Sequence, residues 1–341
     1  MPSWPPNEEA NNASQRIVNL PGCQTLKAAI GSGLNMMRCG SPMPLFQQEQ
    51  LRYNPTGEWI FPSLLDTSAL PGRPQSRWFL YYSPHDAPGG ICLAYADHLA
   101  GPWREHDSNP IVSRVWEPYY RVGHVASPHA LWVPEERKVF LWFHGENHET
   151  RYATSTDGIH FVYQGVALST HDFDNTVECS YGRVFRHTMP SVGNRYVMML
   201  EGYDGEHCKI IRAWSSDART WTSQRSAYLV APAELGGHGG SSWLIRDGQC
   251  LSVVYTASRF VGQAGHDVPG DFCAVPVSED LEPTGPHRLV YSANAGYPDF
   301  GRADDLIVVR DENDAAFVFY TAGRRLEGRL FAMPLTAFSL T

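Results

Sequence analysis

The chain is 341 residues long, with 27 Lys and Arg against 36 Asp and Glu, a formal net charge of −9. Hydrophobic residues make up 43% and charged residues only 18%, below the roughly 25% of an average soluble domain, which excludes an intrinsically disordered chain. The acidic balance, with no Lys/Arg run longer than two, excludes the basic face of a nucleic-acid binder, and no apolar run approaches the ~18 residues of a membrane span.

The chain opens Met1-Pro-Ser-Trp-Pro-Pro-Asn-Glu-Glu, with neither a basic n-region nor an apolar h-region, so no signal peptide is expected and the compartment reads as cytoplasmic. Residues 1–50 read as a short N-terminal extension packing on the main domain, with a short helical stretch near residues 23–31. Seven cysteines, at 23, 39, 92, 179, 208, 250 and 273, are scattered without a Cys-x-x-Cys pair. They fit reduced thiols rather than a zinc ribbon or a disulfide framework.

From residue 51 to 341 the chain repeats one unit five times. Each unit begins with a short strand, at 59–65, 127–133, 181–187, 241–246 and 306–310. Hairpin signals follow, among them Pro134-Glu-Glu-Arg137, Val192-Gly-Asn194 and Asp247-Gly248. Next come apolar runs at 77–82, 138–143, 195–200, 250–255 and 315–320, of the kind buried on both faces. Four of the units then carry a small residue–x–Asp turn, usually with an aromatic behind it. The aspartates are 97, 157, 217 and 280, spaced 60, 60 and 63 residues apart. The Asp is expected to cap backbone N–H groups, and the aromatic to pack between neighbouring sheets. One sheet of this size cannot bury both faces alone, so the units stack around an axis. The expected fold is all-β, a single five-bladed β-propeller.

The phrases Trp78-Phe-Leu-Tyr-Tyr-Ser-Pro-His-Asp86, Gly90-Ile-Cys-Leu-Ala-Tyr-Ala-Asp97, Glu178-Cys-Ser-Tyr-Gly-Arg-Val-Phe185 and Gly237-His238-Gly-Gly-Ser-Ser-Trp-Leu-Ile245 resemble the five-bladed propeller glycosidases, glycoside hydrolase family 43 and its relatives 32, 62, 117 and 130. The resemblance implies carbohydrate chemistry in an axial pocket, with Glu178 as general acid. It also sets His238 near the axis as a metal ligand; no cofactor is required, and Ca2+ or another divalent cation is the candidate there. Two family carboxylates are missing: their phrases read Phe61-Pro62-Ser63 and Ser127-Pro128-His129 here.

Inner-strand starts and second-strand ends surround a propeller axis, so candidate residues are drawn from there. Glu178 is the expected acid and Asp86 or Asp304 the expected base. Asp304 and Asp305 are adjacent, so alternation turns them to opposite faces and only Asp304 inward. Substrate-binding candidates are His85, His129, His144, Glu146, Tyr181, Arg183, His238 and Arg324, with Trp116 as a stacking platform; Glu201, Tyr203, Arg259 and Arg325 hold similar second-strand ends. The loop at 262–270, with His266 and Asp267, reads as a lid. The expected function is a glycoside hydrolase acting on a small neutral carbohydrate, without nucleic acid or membrane as partner. A lyase using His129, Tyr181 and Arg183, and a non-catalytic sugar-binding propeller, are the alternatives.

Overall fold

A computed structural model of the chain describes residues 18–20, 37–72, 74–259, 270–324 and 326–338. Five antiparallel sheets follow one another along the chain. Blade one holds Ile60–Asp66, Trp78–Ser83, Cys92–Ala96 and Arg104–Glu105. Blade two holds Ala126–Val133, Lys138–His144, Glu149–Ser155 and Val162–Ser169. Blade three is built from Glu178–Arg186, Tyr196–Tyr203, Cys208–Ser215 and Thr222–Ser223. Blade four is built from Gly237–Asp247, Cys250–Arg259, Gly270–Val277 and Arg288–Tyr291, and blade five begins with Ala303–Arg310, Ala316–Ala322 and Arg329–Phe338. The first strand of each blade packs against the first strand of the next, and that of blade five against that of blade one, so the ring closes around an axis. The fold is the five-bladed propeller expected from the repeat.

Blade five is completed from the other end of the chain. Met37–Cys39 pairs antiparallel with Arg329–Phe338, and Met43–Pro44 pairs with the same strand. Val18–Leu20 runs parallel to Gly237–Asp247 of blade four. Helix among the described residues is confined to single 3-10 turns such as Thr170–Asp172, and none is long and apolar enough to cross a membrane. The helical stretch expected near 23–31, and the expected lid apart from Gly270, lie outside the described residues.

The apolar runs become second strands because both of their faces meet a neighbouring sheet; Trp78–Ser83 is buried at every position. The Asp turns of blades two and three act as their sequence predicts. Asp157 Oδ1 accepts the N–H groups of Ile159 and His160 and the Ser155 hydroxyl, all at 2.8 Å. Asp217 Oδ1 accepts the N–H groups of Arg219 and Thr220 at 2.8 Å and the Ser215 hydroxyl at 2.9 Å. The following aromatic reaches the second strand of the preceding blade: Trp103 meets Phe319 and Phe161 meets Tyr81, both at 6.2 Å between ring centres, and Trp221 meets Trp142 at 6.3 Å. The fourth turn departs from this pattern, since Asp280 accepts the N–H of Ser191 from blade three at 2.8 Å.

Candidate active site

The five inner strands share one irregularity. In every blade the ladder between first and second strands skips, leaving two inner residues opposite one: Phe61-Pro62, Ser127-Pro128, Tyr181-Gly182, Gly240-Ser241 and Asp305-Leu306. A bulge of this kind re-aims side chains. In four blades its first residue has a left-handed backbone, with φ of 61° at Phe61, 53° at Ser127 and Tyr181, and 52° at Asp305. Residues other than glycine seldom adopt that conformation unless the surroundings impose it. Four of the bulges contribute Phe61, Tyr181, Gly240 and Asp305 to the lining of a cavity of about 430 Å³.

Asp304 and Asp305 both line this cavity. The expectation that only Asp304 faces inward is therefore corrected: the left-handed turn at Asp305 breaks the alternation on which it rested. Glu58, Glu178 and Glu201 complete a set of five lining carboxyl groups. On the paired strands of blade three, Glu178 stands opposite Tyr203 and Glu201 opposite Ser180, so the period of two puts both glutamates on one face.

The environments of these groups differ. Burial raises the Glu178 carboxyl above the usual range, against hydrogen bonds from the Ser180 hydroxyl at 2.7 Å and from Asn147. Burial, followed by repulsion from Glu178, raises Glu201 much further. Asp305 is pushed up to about 8 by burial and by Asp304, with Arg183 and Arg302 opposing. Asp304, in contrast, has the Arg302 guanidinium 3.2 Å away. Glu58 is raised by burial; its Oε1 accepts the N–H groups of Leu326 and Gly328 at 3.1 and 3.3 Å.

Across the cavity Asp86, His85 and Tyr181 form a hydrogen-bonded chain. His85 Nδ1 lies 3.0 Å from Asp86 Oδ1, and its Nε2 lies 2.9 Å from the Tyr181 hydroxyl. Burial, reinforced by Glu178 and Glu201, holds the Tyr181 phenol well above its ordinary range. It therefore meets a ligand as a neutral hydroxyl.

No protein-family profile matches this chain, and no curated protein matches it. Solved structures do. A thermostable family-43 glycoside hydrolase superposes with a TM-score of 0.58 at 12% identity over 81% of this chain and 88% of its own. The catalytic domain of a Coprinopsis cinerea GH62 alpha-L-arabinofuranosidase gives 0.58 at 14% over 90% and 100%. An N-acetylgalactosamine deacetylase from F. plautii, in complex with blood group B trisaccharide, gives 0.58 at 13% over 88% and 96%. The shared feature is the five-bladed propeller fold.

Within that propeller, the sequence candidates Glu178, Asp304, His85 and Tyr181 line the cavity. The phrases at Phe61 and Ser127 are bulges, and the register makes Tyr181 their blade-three counterpart, with Glu178 three residues earlier. Other candidates fall elsewhere. Asp86 is half-exposed and reaches the cavity only through His85. His129 is buried directly after its bulge, with Nε2 2.9 Å from the Val184 carbonyl; burial and Arg183 push its imidazole down to about 3. His144 is buried edge-on to Tyr181 at 4.9 Å, and burial holds it neutral. Arg183 is wholly buried, its Nη1 donating to the Pro128 carbonyl at 2.9 Å.

The remaining candidates also stand apart from the cavity. Glu146 is exposed and accepts the Gly123 N–H at 3.2 Å. Arg324 is exposed over the Phe300 ring. Trp116 packs on Tyr120 and Tyr163. His238 Nδ1 accepts the Cys208 N–H at 3.2 Å while its ring stacks on His207. Among the described residues no group of three or more His, Cys, Asp or Glu side chains is arranged to hold a metal. The side chains of Arg259 and Arg325 lie outside the described residues. Glu58, Asn147 and Arg302 line the cavity without having been legible as candidates. Pro62 and Pro128 are the available signal, because a proline inside an inner strand cannot donate to the ladder and marks a bulge.

Proposed function

We propose that this chain is a glycoside hydrolase working in the axial cavity, with Glu178 as general acid and Asp304 as the ionised partner. The observation that carries the reading is a contrast within one cavity. Burial raises the Glu178 carboxyl, beside a second glutamate, while Asp304 has a guanidinium at 3.2 Å. Glycoside hydrolysis needs both states together, one carboxyl to protonate the leaving oxygen and one to activate water or attack the sugar. Glu201 acts as a positioning residue beside the acid, and the neutral Tyr181 hydroxyl offers a hydrogen bond to the sugar.

The deacetylase named above carries another reaction on the same fold, so the reading rests on the site and not on the fold. Elimination from a uronate fits less well. Its base would be Tyr181, whose phenol resists ionisation, and the substrate carboxylate would enter among five others.

A panel of aryl and alkyl glycosides tests the assignment. Glu178→Gln is expected to lower kcat/KM by roughly 10²–10⁴-fold on alkyl glycosides and by much less on nitrophenyl glycosides, whose leaving group departs without a proton. Asp304→Asn is expected to slow both kinds alike. Equal losses on both for Glu178→Gln, or unchanged turnover, would remove Glu178 from the role of acid.

A further inference from the structure

The cavity holds more carboxyl groups than hydrolysis uses. With Glu178 and Asp304 assigned to the reaction, Glu58, Glu201 and Asp305 remain. Arg302, the guanidinium among the lining residues, is bonded to Asp304. Arg183 is buried, with Nη1 bonded to the Pro128 carbonyl. Both act on Asp305, whereas the strongest influences on Glu201 are burial and its neighbours Glu178, Asp304, Cys208 and Asp305. His85 also lines the cavity, with its ring nitrogens turned to Asp86 and Tyr181.

A second observation is independent of the acidic set. Thr256 lines the cavity on a side chain only 4% exposed, and its hydroxyl has no hydrogen-bond partner. Glu58, 2% exposed, likewise leaves Oε2 without a donor. Buried polar atoms left this way are costly. The Thr256 hydroxyl can donate or accept and the Glu58 oxygen can accept, so a ligand carrying N–H or O–H donors would satisfy both.

We propose that the cavity selects a sugar bearing a free amine, its ammonium seated against Glu201 and Asp305. An ammonium brings three donors and no acceptor, and its burial is tolerated beside carboxylates and hardly elsewhere. N-acetylation removes the charge, and a hydroxyl in the same position never supplies it. In the ligand-free cavity burial raises both Glu201 and Asp305, reinforced by Glu178 for the first and by Asp304 for the second. An arriving ammonium therefore drives protons off. The inference rests on the hydrolase reading for which carboxyls react, but its test is one of binding.

Calorimetry at neutral pH compares glucosamine, galactosamine and mannosamine with the parent hexoses and the N-acetylated sugars. At least one amine is expected to bind about tenfold or more tightly than both of its counterparts, with proton release seen as a dependence of the heat on the buffer. Glu201→Gln and, separately, Asp305→Asn are expected to erase the preference; either variant suffices if the other does not fold. Equal binding by the parent or N-acetylated sugar overturns the proposal, and so does the absence of binding by all three amines. An amino sugar that binds, but whose glycosides are never cleaved, overturns the hydrolase reading and leaves amine selection standing.

Discussion

Asp305 shows how far the cavity reshapes a single residue. It is buried, follows directly on another carboxylate, and has its N–H donated back to Asp304 Oδ1 at 2.9 Å. Its proton, released near 3.8 in an unfolded chain, is held to about 8 in the fold. Between those values the folded chain binds more protons than the unfolded one, so stability falls as pH rises across the window. Asp305→Asn has no proton to release there. Its melting temperature, relative to that of the parent chain, is expected to climb from about pH 4 to about pH 8. Melting curves for the two that shift in parallel across this range would mean that Asp305 keeps an ordinary carboxyl.

At the scale of elements, the Asp fixes its own turn and the aromatic behind it packs one blade on the previous one. Asp217→Ala removes three acceptor contacts and is expected to cost about 1–2 kcal/mol, while Asp217→Asn keeps the acceptor oxygen and costs less. Trp103→Ala empties a side chain only 4% exposed at the junction of blades one and five; it is expected to cost about 3–5 kcal/mol. Chemical denaturation ranks the three, and an Asn variant as unstable as the Ala variant would sink the capping account. These turns and the second strands are legible in the sequence because their signals are local, an Asp followed by turn residues or six apolar residues in succession. The starts of the inner strands are not. The inner strand of blade three begins at Glu178, where expectation began it at residue 181, and that of blade five begins at Ala303, where expectation began it at 306. Of those extra residues Glu178, Asp304 and Asp305 are carboxyls that line the cavity, while Cys179 and Ala303 are buried in the core, so no unbroken apolar run marks them. The bulges then cancel the period of two just where Asp304 and Asp305 sit, and alternation reads the pair wrongly. Glu58 and Arg302 lie outside any strand, and only the closing of the ring brings them together.

The whole molecule depends on how that ring is closed. Strand pairing joins each blade to itself, while side-chain packing and scattered hydrogen bonds such as Ser191 N–H to Asp280 join blade to blade, so the last sheet is the weak point of a circular stack. The chain answers this by pairing Met37–Cys39 with Arg329–Phe338, which ties both ends of the propeller into one sheet. The tie continues as Gly40 donates its N–H to the Pro334 carbonyl at 2.8 Å and Leu45 donates to that of Leu330 at 3.1 Å. Phe46 then reaches blade one, its ring 5.5 Å from that of Tyr82. Met37, Leu45 and Phe46 are all buried, and losing them would forfeit roughly 5–9 kcal/mol of apolar burial. That is comparable to the ~5–15 kcal/mol that stabilises a typical domain. Removing them would also bare the edge of Arg329–Phe338, and an exposed edge recruits other chains. A chain beginning after Phe46 is therefore expected to be aggregated or unfolded under conditions where the full chain is folded, while Met37→Ala alone remains folded with a loss of about 2–5 kcal/mol. Size-exclusion chromatography and thermal melting distinguish these states. A shortened chain that stays monomeric and melts within a few degrees of the full one would mean that packing alone holds the ring, and that the N-terminal strand is an ornament on it.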